Sequence, residues 1–188
     1  MLGAGPLGLI ATMALRVRGL DVVTYALAPK PNRNASLIEA LGARYASAQE
    51  TNLKQLAGDL GNIDLIVEAT GYSPLVFEAM ERLGKNGVLV LTGIAGGDRK
   101  ANDVHADHIL QSFVLGNKVV VGSVNAAHED FEQGVADFAL AEASWPGWLA
   151  KLLTHPLDGL ESYPEMIRLL TDAKDAIKIF VNVSREAA

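Results

Sequence analysis

Glycines at positions 3, 5 and 8, in the run Gly3-Ala4-Gly5-Pro6-Leu7-Gly8, limit this chain to a narrow set of turns. The G-x-G-x-x-G spacing makes a different physical demand at each glycine when it joins a strand to a helix. Gly3 permits the tight turn, Gly5 leaves no side chain in the path of a pyrophosphate, and Gly8 lets the helix pack closely. Pro6 and Leu7 complete the turn, and the helix N-terminus after it offers free N–H groups and a partial positive charge to phosphates. A glycine-rich turn alone is weak evidence, because such turns occur in loops that bind nothing. The neighbouring residues strengthen it: over residues 7–18 Leu, Ile, Met and Ala recur at helical spacing without proline, and Gly19 stops the run.

The rest of the chain alternates short β-branched runs with amphipathic stretches, the pattern of crossover units on a mostly parallel sheet. Residues 21–26 (DVVTYA), 63–69 (IDLIVEA), 87–94 (GVLVLTGI), 118–124 (KVVVGSV) and 176–183 are expected strands, with a brief one at 44–46. Two prolines in ALAPKPNRN, residues 26–34, forbid regular structure there, and a helix is expected to resume near Ser36 and end at Gly42. Further helices are expected from Pro74 through residue 83, over 129–140 and over 161–171. The fold class is α/β, a doubly wound, Rossmann-type sheet, and one domain of this kind suits a chain of 188 residues. Composition shifts near SWPGWLAKLLTHP, so the division expected is a dinucleotide-binding domain over 1–144 and an appendage over 145–188 that packs against something outside this chain. A strand should precede the glycine turn, yet only Met1 and Leu2 do. The sheet is therefore expected to lack its first strand, as in a fragment or a chain with a misplaced start.

A net charge of −6 without a run of Lys or Arg argues against a nucleic-acid partner. The absence of cysteine excludes disulfides and thiolate metal sites, and the apolar opening has no basic segment before it, so the cytoplasm is the expected compartment. No stretch approaches the ~20 uncharged apolar residues that a membrane-spanning helix needs.

NAD binders carry an acid at the end of the second strand to bond the ribose 2′-hydroxyl, and here Ala26 stands at that place. No Asp or Glu occurs from position 24 to 35, whereas Lys30 and Arg33 lie in the loop beyond it, where they could pair with a 2′-phosphate. The expected cofactor is NADP, with NAD left open. His105 and His108 with Asp103 and Asp107 have a spacing that suits two metal ligands on a helix face, but nothing supplies a matching second cluster and solvated side chains explain them more simply. Asp64 and Glu68 do not form a recognisable carboxylate pair, and Ser123 has no His-Asp partners. No residue is assigned a catalytic or metal-binding role.

With GAGPLG, IDLIVEATG, NGVLVLTGI, NKVVVGSVNAAHEDFEQ and the closing IKIFV in place, the whole chain resembles the C-terminal half of glucose dehydrogenases of the medium-chain, zinc-dependent alcohol dehydrogenase superfamily. The resemblance implies that Gly5 to Gly8 meet the pyrophosphate and that Thr70 borders the adenosine ribose. It also implies that Thr92, Gly93 and Ile94, with Ser123, Val124 and Asn125, approach the nicotinamide. The family's arginines after the second strand have no match, since Leu27 and Ala28 stand there. Relatives hold zinc and sugar mainly through a preceding N-terminal domain, so zinc is expected there and the substrate is expected to be a sugar or alcohol, such as glucose. KVVVGSV, if an edge strand, is expected to pair with a second copy of the chain. The rival reading is a non-catalytic dinucleotide-binding module or an inactive truncated fragment.

Overall fold

A computed structural model describes residues 1–98, 104–173 and 175–183. The chain divides into two compact units, Met1–Gln133 and Gly134–Ala188. The composition shift at 144/145 lies further along, at the end of a helix, His128–Ser144, that spans this division.

In the first unit, β1 (Val23–Ala26) pairs in parallel with β2 (Arg44–Ser47), while β3 (Leu65–Glu68), β4 (Val88–Leu91) and β5 (Val119–Gly122) form a parallel run in that order. Leu2 joins the two parts by parallel bridges to Tyr25 and Glu68. Its N–H donates to the Val67 carbonyl at 2.8 Å, and the Ala69 N–H donates to the Leu2 carbonyl at 3.0 Å. On the other side the Tyr25 N–H donates to the Met1 carbonyl at 2.9 Å and the Gly3 N–H to the Tyr25 carbonyl at 2.8 Å. The expected loss of the first strand is thus incomplete. Met1 and Leu2 form a stub in the central place, and the order β2-β1-stub-β3-β4-β5 is doubly wound.

Helices α1 (Pro6–Val17), α2 (Arg33–Ala40), α3 (Leu53–Leu60), α4 (Ser73–Arg82) and α5 (Ala106–Gly116) connect or follow these strands, α1 packing on α2, and α4 on both α3 and α5. Leu2, Tyr25, Leu53, Ile66, Leu83 and Leu89 share one buried cluster, in which each large apolar side chain contributes about 1.5–3 kcal/mol. Two buried threonines tie α1 to β1: the Thr12 and Thr24 hydroxyls lie 2.9 Å apart, and the Thr12 hydroxyl also donates to the Gly8 carbonyl at 2.8 Å. At the N-terminal ends of β1 and β3, next to Met1, lies a cavity of about 350 Å³ lined by Val22, Val23, Leu65 and apolar residues of α1 and α3. The Met1 ammonium donates to the Val23 carbonyl at 2.9 Å, and burial lowers its pKa to about 6.

The structure differs from the sequence expectations at four elements, one of them α5, which no expected helix covers. Helix α2 starts at Arg33, inside the proline-rich loop, because the Asn32 side chain caps it by accepting from the Ala35 N–H at 2.8 Å. Helix α3 has no counterpart among the expected helices, although Asn52 and Gln55 close a reciprocal capping box around its first turn. After α6 (His128–Ser144), β6 (Leu153–Asp158) in the second unit has no counterpart among the expected strands and contains Pro156, a residue that central strands disfavour. Among the described residues it pairs, in parallel, only with β7 (Lys178–Asn182), and α7 (Tyr163–Asp172) makes the crossover. A proline is tolerated there because a two-stranded sheet has only edges. Among the described residues no helix is long and apolar enough to cross a membrane.

Candidate functional site

The glycine turn lies at the C-terminal end of the stub, between β1 and β3, where an open doubly wound sheet forms its ligand crevice. Gly3 adopts a φ of +99°, a conformation that L side chains avoid. A Cβ on Gly8 would run into the Gly3 carbonyl, lying 2.8 Å from its carbon, so glycine at position 8 is what lets α1 start so close to the turn. Gly5 is different. Its backbone, at φ −71° and ψ −175°, suits any residue, and a Cβ added there would meet nothing within 4 Å. The fold therefore makes no demand for glycine at position 5. The residue is exposed with Pro6 and Leu7, and α1 carries no side-chain cap, which leaves its first N–H groups for an anion.

Asn34, which sequence reasoning missed, braces this turn by donating from its side-chain amide to the Ala4 carbonyl at 2.8 Å. That bond sets the first turn of α2 against the glycine turn. Arg33 is adjacent and exposed, and makes no ion pair among the described residues. Lys30 is also exposed but bonds Glu39 at 2.8 Å, which raises its pKa above the ordinary lysine value. Ala26 ends β1 and offers no carboxylate.

Across the crevice, the methyl of Thr70 lies 3.1 Å from where a Cβ on Gly3 would sit. The Thr70 hydroxyl donates to the Glu68 carboxylate and accepts from the Tyr72 N–H at 3.0 Å, so its proton is used within the loop and one lone pair is left to accept. Thr92 donates its hydroxyl to the Glu68 carbonyl at 2.6 Å, and Gly93 donates its N–H to the same oxygen at 3.0 Å. Beyond them Ile94 is 83% exposed, and Val124, between Ser123 and Asn125 at the end of the neighbouring β5, is 79% exposed. Two large apolar side chains thus stand in solvent at the C-terminal ends of adjacent strands, where a flat ring would cover them.

The histidine pair is less organised. His105 and His108 have ring centroids 5.9 Å apart and both are exposed, while Asp103 lies outside the described residues. Among the described residues no three His, Cys, Asp or Glu side chains converge to hold a metal ion.

Known proteins share this geometry. The family described as "Glucose dehydrogenase C-terminus" matches residues 1–183. A glucose 1-dehydrogenase of Methanocella arvoryzae is 34% identical over 176 residues, covering 90% of this chain and 49% of that protein. Glucose 1-dehydrogenase 2 of Vulcanisaeta moutnovskia is 38% identical over 165 residues, covering 88% of this chain and 45% of that protein. The solved structure of Haloferax mediterranei glucose dehydrogenase in complex with NADP, Zn and gluconolactone superposes with a TM-score of 0.83 at 28% identity, covering 98% of this chain and 50% of that one. The chain spans about half the length of these relatives. The turn, the doubly wound order and the match over nearly every residue agree, and the chain belongs to the glucose dehydrogenase C-terminal family.

Proposed function

We propose that this chain forms the NADP-binding part of an oxidoreductase that moves hydride between a sugar or alcohol, an aldose such as glucose, and the nicotinamide cofactor. The observation that carries the reading is Gly5, a glycine that the fold does not require, beside an uncapped helix N-terminus. A pyrophosphate explains both, because it needs room over the turn and the N–H donors behind it. The NADP named for the Haloferax relative agrees with this choice of ligand. The residues that would hold the cofactor are Gly5 to Gly8 at the pyrophosphate, Arg33 at the adenosine 2′-phosphate, and Ile94 and Val124 against the nicotinamide ring. Bound NADP supplies the hydride acceptor. The protein's own part in this chain is binding and orientation, and sugar contacts and zinc belong to residues outside it.

The phosphate assignment separates the two cations. Arg33→Ala is expected to weaken NADP about tenfold or more, the range of one charge-assisted contact, and to leave NAD unchanged. Lys30→Ala has a smaller effect, because Glu39 already holds that ammonium. Titrations of both variants with both dinucleotides check this, and an NADP-to-NAD ratio unaltered by Arg33→Ala would remove Arg33 from the site.

We further propose that β5 pairs with β5 of a second copy. It is the edge of the sheet, and Val119 and Val121 are 50% and 43% exposed along it. Sedimentation at rising concentration is expected to reveal a dimer, and a monomer throughout would end this reading.

A further inference from the structure

We propose that Glu68 is a positioning residue that sets the nicotinamide-side loop of the cofactor site against the adenosine side; this rests on the NADP-binding reading above. Glu68 is completely buried at the end of β3. Its Oε1 accepts from the Thr70 N–H and hydroxyl, both at 2.5 Å, and from the Gly71 N–H at 3.0 Å. Its main-chain carbonyl accepts from Thr92 and Gly93. One residue therefore holds the loop after β3 through its side chain and the loop after β4 through its backbone.

The second carboxylate oxygen is the unusual part. Oε2 is buried without a hydrogen-bond partner among the described residues, a costly state that native structures keep only for a reason. It lies 2.7 Å from the place where a Cβ on Gly93 would be, and that same Cβ would lie 2.9 Å from the Gly71 Cα. A Cβ on Gly71 would in turn crowd the Ile94 carbonyl. Two glycines thus face each other with no side chain between them, and the carboxylate fills the space beneath. An apolar residue at 68 would give up the three donors from Thr70 and Gly71. A glutamine would keep an acceptor for them but set an amide against Gly93. The acid is the side chain that both ties the first loop and wedges the second, and so fixes the spacing between Thr70, beside the glycine turn, and Ile94, beyond Gly93.

Adenosine 2′,5′-bisphosphate reaches only the adenosine side, whereas NADP must reach both, so the pair of ligands reads that spacing. In Glu68→Ala, NADP affinity is expected to fall at least tenfold and in Glu68→Gln by less, while the bisphosphate, which meets Thr70 but not the loop at Ile94, loses several-fold less than NADP in each variant. Hydrogen exchange at the Thr70 and Gly71 amides is expected to accelerate in Glu68→Ala while Gly8 stays protected. If Glu68→Ala does not fold, Glu68→Gln carries the comparison alone. Unchanged NADP affinity in a folded variant, or an equal loss of both ligands, overturns the assignment. A parent chain that binds neither ligand removes the cofactor reading itself, and this proposal with it.

Discussion

Four β-branched residues placed ahead of Met1 are expected to raise the melting temperature of the chain by about 10 °C, each kcal/mol being worth ~2–4 °C at this size. Hydrogen bonding along the stub shows why. In β1, Val22 and Ala26 bond toward β2 and Tyr25 toward the stub, and in β3, Asp64 and Glu68 bond toward β4 and Val67 toward the stub. Continuing that alternation turns the Val23 N–H and backbone groups of Leu65 toward the 350 Å³ cavity, which apolar side chains line together with Asp21, Arg44, Asn62 and Asp64. An extended strand matches both. Burial yields about 1.5–3 kcal/mol per residue, against roughly 1–2 kcal/mol of backbone entropy, so four residues leave a few kcal/mol of gain.

The same extension removes a buried charge. The Met1 amine has a folded pKa of about 6 against an ordinary value of 8.0. Between those values the unfolded chain holds more protons than the folded one, so stability rises from pH 6 to pH 8, by roughly 2–3 kcal/mol in all. Urea unfolding at the two pH values is expected to display this slope in the chain starting at Met1 and to lose it in the extended chain. An extended chain with the original melting temperature and the original slope would contradict the account of the stub.

Opposite effects are expected at two glycines three residues apart. Gly8→Ala drives a Cβ into the Gly3 carbonyl at the point where Thr12 also holds the Gly8 carbonyl, and no flexible side chain is there to yield. A cost of about 3 kcal/mol is expected, the upper range for overpacking. Gly5→Asp meets open space at an N-cap position whose dihedral angles suit aspartate. It is expected to stabilise the chain by about 0.5–1 kcal/mol through capping and the helix dipole. The same carboxylate stands where the pyrophosphate would lie, and repulsion of several kcal/mol lowers NADP affinity at least ~100-fold. Thermal melts and titrations of the two variants check both halves. A Gly5→Asp variant that binds NADP normally would mean that the turn is only a turn.

Much of this was legible before the structure, because the glycine turn, α1 and the apolar runs of β3, β4 and β5 each carry their own local signal. Elements whose cause is a single polar bond were harder to read. The Asn32 cap starts α2 within a loop that two prolines had marked as irregular, and β6 is acceptable with Pro156 because it has one partner. Met1 and Leu2 are too few to show any periodicity, and their place between β1 and β3 is set by tertiary hydrogen bonds. Within the site, the open space over Gly5 and the Lys30–Glu39 pair are spatial facts that no spacing encodes. Asn34 gave no signal. Glu68 gave one, an acid within the apolar run LIVEATG, whose burial and loop contacts only the fold discloses.

The most direct test of the central claim is a calorimetric titration of the purified chain with NADP and then NAD at one fixed salt concentration, with its fold first verified by circular dichroism. The account predicts saturable one-site binding that favours NADP and disappears in Gly5→Asp. A folded chain that binds neither dinucleotide would contradict it.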